Sequence, residues 1–427
     1  MTPLHSLEDW LSWQETISPK SIDLDLSRVS KIFQKLNFVR PNYVITIAGT
    51  NGKGSSVAMI EAMMISMDKS VASYTSPHIH KYNERIKINR KAVSDELIIA
   101  AFKKIEKIRE GLELTYFEYG TLAALQILSD ACVEVIVLEV GLGGRLDAVN
   151  IVDADACIIT NISRDHEDWL GTGIENIALE KAGIMRRGKP VIFGSLVIPK
   201  NIKNEAFRKK AKLITSPDNY KFNINDNKSW SWFGATNQRM SLSLPNMKGT
   251  HQLKNAAAVL ALIEAIPEIT LPDEVIINKA ITTIELSGRI DFRNYAEKKW
   301  LFDVAHNVES AHALVKTIKQ SQYNKCITVI CVLADKDIEG IIKLLVPIVD
   351  HWVIVKLNTA RASEVRNIQN FISKYSQKEI SVGGDASQSM QIADISSQEN
   401  DLILVTGSFY TVGPSLKWIE KRIDECN

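Results

Sequence analysis

Short runs of apolar, often β-branched residues alternate with longer segments of helical periodicity over most of the chain. The apolar runs carry hydrophobic side chains at successive positions, so both faces of each predicted strand are expected to be buried, as in a parallel sheet covered by helices. The pattern therefore predicts an α/β fold in which ligands bind at the carboxyl ends of the strands. In the first half of the chain the segments are VITIA, SVAMIEAMMISM, VASYTS, VEVIVLEV, ACIITNI, IENIALEKAGI and PVIFGS.

The pattern changes between Ser195 and Leu244, where polar segments contain several tryptophans. We expect this region to form antiparallel strands appended to the sheet. Helical periodicity returns in HQLKNAAAVLALIEAI, and a second α/β series begins at WLFDVAHN. The short polar stretch between them predicts a linker near residues 290–298, which separates a domain of residues 1–292 from a smaller one of residues 293–427.

Composition and charge narrow the class of protein. The chain has 427 residues, of which 45% are hydrophobic, and a formal net charge of +1, so it carries no excess charge that would favour nucleic acid or an anionic membrane. The five cysteines form no CxxC pair, which is typical of a reducing compartment. No segment resembles a signal peptide or reaches the roughly 20 apolar residues of a membrane span. We therefore expect a cytoplasmic protein that binds neither nucleic acid nor membranes.

The clearest candidate for chemistry is VITIAGTNGKGSS, in which an apolar strand runs into a glycine-rich loop and then a helix. Backbone N–H groups of such a loop and the positive end of the helix bind phosphate oxygens, and Lys53 adds a positive charge. The hydroxyl of Ser55 can ligate Mg²⁺. The stretch departs from the pattern G-x-x-x-x-G-K-[ST], because Ile47 stands at the first glycine position and Gly54 follows the lysine. The alternative is a tight glycine turn with a solvated lysine.

Three further polar side chains are predicted near the same sheet edge. Glu139 ends one apolar strand and His166 follows another, so both are candidates for a metal ion, although each alone is as well explained as an ordinary strand-end or surface residue. Lys181 falls on the apolar stripe of its helix, where a lysine must snorkel, pair, lower its pKa or be modified. The stripe consists of Ile174, Ile177 and Ile184.

Several motifs occur together in an order that resembles one protein family. They are GTNGKGSS, TSPHIHKYNERI, TYFEYGT, LEVGLGGRLDAVNIVDAD, DHEDWLG, EKAGI, SGRIDF and FDVAHN. They resemble the bacterial dihydrofolate synthase/folylpolyglutamate synthase family of the Mur ligase superfamily over nearly the whole chain. Pattern and resemblance together predict an α/β fold with a P-loop mononucleotide-binding parallel sheet domain, appended antiparallel strands and a smaller C-terminal Rossmann-like α/β domain.

The resemblance implies an ADP-forming ligase that joins a carboxylate to an amino acid. Such an enzyme uses ATP and Mg²⁺, with two ions expected, to add L-glutamate to dihydropteroate and to tetrahydrofolate glutamates through an acyl phosphate. The alternative within the family is a folylpolyglutamate synthase only. The implied partners are small molecules, namely dihydropteroate, folates and L-glutamate, and we expect a monomer. Whether the enzyme also needs a monovalent cation is left open by the resemblance. Lys181 matches a lysine that is carbamylated in relatives, which would turn it into an anion suited to a metal site.

Carried over motif by motif, the resemblance assigns roles to residues of this chain. The implied catalytic residues are Lys53, Lys181 and His306. The implied metal ligands are Ser55, Ser76, Glu139 and His166. The implied nucleotide-binding residues are Thr50, Asn51, Gly52, Lys53, Gly54, Ser55, Asn255, Arg289 and Asp303, the last expected to reach across from the second domain. The implied dihydropteroate-binding residues are Ser21, Ile22, Asp23, Leu24, Thr115, Tyr116, Phe117, Glu118, Leu146, Asp147 and Ala148. The chain departs from the family pattern at Val308, where a proline is usual, and at Asn83 of Asn83-Glu84-Arg85, where the common motif is T-E-R.

Two other classes of protein share a phosphate loop. Cell-wall Mur ligases place a nucleotide-sugar domain before the loop, whereas only 48 residues precede Gly49 here. A P-loop GTPase switch would favour an aspartate two residues after the lysine of an Asn-Lys dipeptide, and none of NKSW, NKAI and NKCI has one. We therefore expect an adenine nucleotide and a folate-type ligase.

Overall fold

The structure is a computed structural model that describes residues 4–18, 20, 22–225, 228–359 and 361–426. The chain divides into two compact units. Unit 1 comprises Met1–Asn246 and Gln252–Ile284, and unit 2 comprises Met247–His251 and Glu285–Asn427. No helix within the described ranges is long and apolar enough to cross a lipid bilayer.

Unit 1 is built on an eight-stranded sheet. Its strands are β1 (Tyr43–Ala48), β2 (Val71–Tyr74), β3 (Ile86–Ile88), β4 (Lys91–Ala92), β5 (Val135–Glu139), β6 (Ala156–Ile159), β7 (Pro190–Phe193) and β8 (Lys212–Thr215). The order across the sheet is β4-β3-β2-β5-β1-β6-β7-β8. The strands from β2 to β8 in this order pair in parallel, as predicted, whereas β3 and β4 add an antiparallel edge. The strands β2, β5, β6 and β7 are buried at every residue, as expected for a parallel sheet that is covered on both faces.

Helices connect the strands of unit 1 and pack against its core. They are α1 (Leu7–Gln14), α2 (Ser27–Phe33), α3 (Lys53–Ser66), α4 (Asp95–Arg109), α5 (Tyr116–Asp130), α6 (Glu167–Leu170), α7 (Ile174–Lys181), α8 (Lys200–Lys209), α9 (Thr250–Ala265) and α10 (Glu274–Thr282). Short 3₁₀ turns occupy Tyr82–Arg85, Ala148–Ile151 and Ala182–Ile184. Aromatic rings join α1, α4 and α5, since Phe102 lies 5.9 Å from Trp10 and 5.5 Å from Tyr119 between ring centroids.

The region between Ser195 and Leu244 differs from the expected antiparallel strands appended to the sheet. It first forms α8 and then β8, which extends the main sheet in parallel. The antiparallel strands follow as a separate three-stranded sheet of β9 (Lys221–Ile224), β10 (Ser229–Phe233) and β11 (Gln238–Ser243). Trp230 and Trp232 are fully buried on β10, and the indole of Trp232 donates to Ala257 O at 3.1 Å. Trp232 therefore anchors this small sheet to α9, whereas the indole of Trp230 donates to Ser243 O within the sheet at 2.9 Å.

Unit 2 contains a six-stranded sheet and its own helices. The strands are β12 (Asp291–Tyr295), β13 (Lys298–Asp303), β14 (Cys326–Ile330), β15 (His351–Val355), β16 (Glu379–Gly383) and β17 (Leu402–Thr406). The helices are α11 (Val308–Ile318), α12 (Ile338–Leu345), α13 (Val365–Tyr375), α14 (Ala386–Ser396) and α15 (Phe409–Cys426), with a 3₁₀ turn at Val346–Ile348. The order is β12-β13-β17-β14-β15-β16, in which all neighbours are parallel except β12 and β13.

The predicted linker near residues 290–298 is wrong. These residues form β12 and the turn into β13, which pair as an antiparallel hairpin at the edge of the unit 2 sheet. The burial of β12 alternates between half-buried and exposed residues, as in an edge strand with one solvated face. A domain boundary between residues 292 and 293 would fall inside β12, and the predicted boundary itself stays a prediction.

Candidate active site

The glycine-rich loop connects β1 to α3 and depends on two glycines. Gly49 has φ +144° and Gly52, immediately before α3, has φ +87°, and both values disfavour residues with a side chain. A Cβ atom on Gly49 would lie 1.8 Å from Thr160 Oγ1, and one on Gly52 would lie 2.9 Å from the amide of Asn255. The loop is therefore closely surrounded, and the predicted nucleotide-binding residue Asn255 does lie against it.

Hydrogen bonds from the segment after β6 fix the shape of the loop. Thr160 Oγ1 donates to Asn51 O at 2.6 Å, and Asn51 N donates to Asn161 Oδ1 at 2.8 Å. Ser163 N donates to Thr50 Oγ1 at 3.1 Å. Thr160 and Asn161 were not among the predicted site residues, although they are visible in the sequence as polar residues at the end of an apolar strand. These bonds leave the loop with little freedom before any ligand binds.

Two lysine amines meet at one carbonyl of the loop. Lys53 Nζ donates to Gly49 O at 3.1 Å and to Thr50 O at 3.2 Å. Lys181 Nζ, at the end of α7, donates to Gly49 O at 2.9 Å. Burial, and secondly the charge of Lys53, lowers the pKa of Lys181 to about 7. The prediction that Lys181 lies on the buried stripe is confirmed, and snorkelling to solvent is excluded because the residue is only 5% exposed.

Two acidic side chains, Asp147 and Asp165, interact through their charges with these lysines. Asp147 is buried, and its carboxylate accepts from Leu142 N at 2.8 Å and from Val149 N at 3.0 Å. Burial raises the pKa of Asp147 to about 6, although these amides and the charge of Lys53 oppose the rise. The charges of Asp165 and Asp147 favour the protonated form of Lys181. Asp165 was not among the predicted site residues, although it stands directly before His166 in DHEDWLG.

The predicted metal ligands lie at the ends of neighbouring strands. Glu139 is the last residue of β5, is buried, and accepts from Ser76 N at 3.2 Å. Its carboxylate reaches the start of α3, since a Cβ on Gly54 would lie 3.7 Å from Glu139 Oε2. Ser55 Oγ, one residue further on, accepts from Gln252 Nε2 at 3.3 Å.

His166 is the fourth predicted metal ligand. It directly precedes α6 with φ +56°, and its Nε2 lies 3.9 Å from Asp165 Oδ2. No group of three or more His, Cys, Asp or Glu side chains in the described ranges is arranged to hold a metal ion. The oxygen atoms of Ser55, Ser76 and Glu139 suit a hard cation, and the ligand set stays a prediction.

The segments predicted to bind dihydropteroate meet around the first turn of α5. Thr115 and Glu118 form a capping box there, in which Glu118 Oε2 accepts from Thr115 N at 2.7 Å. Phe117 packs on the glycine-rich turn that leads to Leu146, Asp147 and Ala148, because a Cβ on Gly141 would lie 2.5 Å from its ring. Tyr116 lies 6.1 Å from the ring of Tyr82. Ile22, Asp23 and Leu24 are half-buried, and Ser21 lies outside the described residues.

In unit 2 the predicted residues Arg289, Asp303 and His306 cluster at the end of β13. Asp303 is the last residue of the strand and accepts from Ile290 N at 2.8 Å. Burial raises its pKa, and the charge of Arg289 opposes the rise. The Arg289 guanidinium lies 5.0 Å from the ring centroid of Phe409, and the His306 ring lies 6.3 Å from the same ring. Phe409, which follows an apolar strand in TGSF, was not among the predicted site residues.

Comparison with known proteins shows the family to which the chain belongs. Residues 47–263 match the model described as "Mur ligase middle domain", and residues 288–409 match "Mur ligase, glutamate ligase domain". The chain is 36% identical over 419 residues to the dihydrofolate synthase/folylpolyglutamate synthase of Escherichia coli (strain K12), which covers 97% of this chain and 96% of the relative. This chain belongs to the dihydrofolate synthase/folylpolyglutamate synthase family of Mur ligases. The resemblance noted from the motifs is thereby confirmed.

Solved structures of other Mur ligases share the fold. The E. coli FolC structure in complex with DHPP and ADP has a TM-score of 0.92 at 35% identity and covers 99% of this chain and 100% of that chain. A bifunctional folylpolyglutamate synthase/dihydrofolate synthase with Mn, AMPPNP and L-glutamate bound has a TM-score of 0.90 at 34% identity, with 98% and 100% covered. The predicted fold class, a P-loop parallel-sheet domain followed by a smaller α/β domain, is confirmed.

Proposed function

We propose that this Mur ligase adds L-glutamate to dihydropteroate, forming dihydrofolate, and to tetrahydrofolate glutamates, forming polyglutamates, with ATP cleaved to ADP and phosphate. The observation that supports the proposal most directly is the arrangement in unit 1. The amines of Lys53 and Lys181 both reach a carbonyl of the constrained phosphate loop, and the carboxylate of Glu139 accepts from Ser76 N near the start of α3. The predicted dihydropteroate segment at Phe117 packs on the turn that leads to Asp147. Relatives of about the same length that bind ADP, AMPPNP, DHPP or L-glutamate agree with it.

The nucleotide is proposed to bind with its phosphates on the loop. The N–H groups of Gly52 to Ser55, at the N-terminus of α3, supply donors, and Lys53 supplies a positive charge. The N–H groups of Thr50 and Asn51 instead donate to Asn161 and hold the loop in shape. Lys53 at present donates to two loop carbonyls, so we expect its amine to exchange these for phosphate oxygens when ATP binds. Asn255, Arg289 and Asp303 are the other residues predicted to bind the nucleotide, and their roles stay predictions.

Mg²⁺ is the proposed metal ion, with two ions expected. Ser55, Ser76, Glu139 and His166 would hold it, and the hydroxyl and carboxylate oxygens among them are the ligands that this cation prefers. When bound, it supplies positive charge that neutralises the phosphate oxygens during transfer. The Mn present in the relative with AMPPNP agrees with a divalent-cation site.

Lys181 is proposed to be carbamylated. Carbamylation requires the neutral amine, whose nitrogen forms a bond to the carbon of CO₂ and then loses a proton. Because burial lowers the pKa of Lys181 to about 7, about half of the amine is neutral at pH 7. The carbamate would be an anion in place of a second cation beside Lys53. Mass spectrometry of the native protein under CO₂, with Lys181→Arg as control, tests the modification.

The reaction proceeds in two steps. An oxygen of the acceptor carboxylate attacks the γ-phosphorus of ATP, the bond to the β–γ bridging oxygen breaks, and ADP leaves with formation of an acyl phosphate. The amine of L-glutamate then attacks the acyl carbon, the C–O bond to phosphate breaks, and the amine nitrogen loses a proton. In this chain, Lys53 and the loop amides position the phosphates, and the Phe117 segment positions the acceptor. His306 is proposed to take part as a catalytic residue of unit 2.

Phosphate release tests the function directly. Purified protein receives Mg-ATP and L-glutamate with dihydropteroate, with tetrahydrofolate or with no acceptor. We expect release with either pterin and dihydrofolate as the first product. Release with tetrahydrofolate alone would reduce the activity to chain extension, and release that ignores both pterins would refute the folate assignment. Lys53→Met should abolish release, whereas Lys203→Met, on the exposed side of α8, should leave it unchanged. The monomeric state, the cytoplasmic location and a monovalent cation stay predictions.

A further inference from the structure

Arg28 joins two segments that are far apart in the sequence. It is the second residue of α2, and its two terminal nitrogens bind different carboxylates. Nη1 donates to Asp23 Oδ2 at 2.8 Å, and Nη2 donates to Glu118 Oε1 at 2.8 Å. Asp23 belongs to the first predicted dihydropteroate segment, and Glu118 belongs to the second. One planar guanidinium therefore bridges the two segments.

The ion pair with Glu118 is well shielded from water. The Glu118 side chain is only 4% exposed, and that of Arg28 is 21% exposed. Glu118 is also fixed by the capping box, because its other oxygen accepts from Thr115 N. Burial alone would lower the pKa of Arg28, but Glu118 and Asp23 raise it above its ordinary value. Removal of the guanidinium would leave the Glu118 carboxylate buried with one charged partner fewer, which is costly.

The Asp23 end of the bridge is different in character. Asp23 is half-buried, and Lys20 Nζ donates to the same Oδ2 atom at 3.2 Å. Burial would raise the pKa of Asp23, but Lys20 and Arg28 hold it below its ordinary value. Residues 22–25 form neither helix nor strand, so their position depends on side-chain contacts of this kind. Arg28 therefore holds an irregular segment against the rigid first turn of α5.

We propose that Arg28 is a positioning residue for the pterin-bearing acceptor, which acts by holding residues 22–24 against the first turn of α5 so that both walls of the acceptor pocket are preformed. The inference rests on the proposed function, because the two segments matter for catalysis only if they bind dihydropteroate. Arg28 itself is not required to touch the substrate. Its loss should weaken acceptor binding, since the segment must then be ordered at the expense of binding energy, and should spare the phosphate loop.

The test uses matched variants of the full chain and separate kinetics for each substrate. Arg28→Met keeps the length of the side chain without charge, and Arg28→Lys keeps the charge without the planar fork. Arg40→Met is the control, because Arg40 also forms an ion pair, with Asp155 at 2.6 Å, but at the amino ends of β1 and β6. We expect Arg28→Met to raise the KM for dihydropteroate about tenfold or more, with the KM for ATP changed less than about twofold. Arg28→Lys should lie between, and Arg40→Met should match the wild type.

Hydrogen exchange of the ligand-free protein provides a second readout. Arg28→Met should speed amide exchange in residues 22–25 while the amides of α3 keep their protection. Suppose that the wild type turns over dihydropteroate. The inference would then be overturned if Arg28→Met left the KM for dihydropteroate unchanged, or if it raised the KM values for dihydropteroate and ATP equally. Failure of the wild type to use dihydropteroate would instead refute the proposed function, and unchanged exchange in residues 22–25 would then refute the structural role of Arg28 as well.

Discussion

Replacement of Lys181 by methionine should stabilise the ligand-free protein while abolishing its activity. Lys181 is 5% exposed, and its pKa falls from an ordinary value of 10.5 to about 7. A fall of this size corresponds to about 5 kcal/mol of unfavourable free energy for the ionised form in the folded state. Methionine keeps the length of the side chain and removes that term, and the lost hydrogen bond to Gly49 O costs about 1 kcal/mol. We therefore expect the free energy of unfolding at pH 7 to rise by about 3 kcal/mol.

The sign of the pH dependence follows from the same shift. Between pH 7 and 10.5 the unfolded chain holds the lysine proton and the folded chain has released it, so the unfolded state binds more protons. The free energy of unfolding of the wild type must rise with pH in this window, and the unfavourable term is fully present below pH 7. The advantage of Lys181→Met should therefore shrink to about 1 kcal/mol at pH 9.

Urea unfolding at pH 7, 8 and 9 measures this difference. The buffers must be depleted of CO₂, so that carbamylation does not contribute, and Lys203→Met serves as the control for loss of a lysine on an exposed surface. A variant less stable than the wild type at pH 7, or a difference that does not change with pH, would refute the account of a lysine buried at a cost in stability. Retained ATP turnover in Lys181→Met would refute its proposed catalytic role.

Three further predictions test other parts of the site. Gly49→Ala should abolish binding of AMPPNP in calorimetry, because its Cβ would clash with the Thr160 hydroxyl, whereas Gly111→Ala, also at positive φ but in open space, should bind normally. Glu139→Gln keeps an oxygen acceptor but loses the charge, so the apparent Kd for Mn²⁺ in the presence of AMPPNP should rise about tenfold or more. Asp147→Asn should remove a pH effect. Because the pKa of Asp147 is raised from 3.8 to about 6, the wild type should lose about 2 kcal/mol of stability relative to the variant as the pH rises from 4 to 7, as measured by urea unfolding.

The local features of the chain were accessible from its sequence. The strand, glycine loop and helix around Lys53 were predicted from the order of an apolar run, closely spaced glycines and a helical apolar stripe. These signals depend on residues that are close in the sequence. The inward position of Lys181 was predicted from the period of its helix, since the α-helical repeat fixes which residues share a face. The sheet edge that carries Glu139 followed from a parallel α/β pattern.

The errors arose where local composition fits more than one structure. The stretch of residues 290–298 is short and rich in polar residues. An edge strand with one solvated face has the same composition as a linker, so composition did not distinguish the two. The helix α8 was missed because only Ile202 and Ala206 are buried on it, too few to establish a helical period. The predicted appended strands formed a separate sheet because strand pairing is decided by partners, which a single strand does not encode.

The sequence by itself determined the family, the phosphate loop and the set of candidate site residues, because each is carried by short motifs whose spacing is local. Only the tertiary structure decided which groups meet. Thr160 closes on Gly49, two lysine amines share one carbonyl, and Arg28 bridges to Glu118 at a separation of 90 residues. Such contacts form only when the sheet and its helices pack together. Their geometry therefore depends on the whole core and cannot be predicted from any single segment.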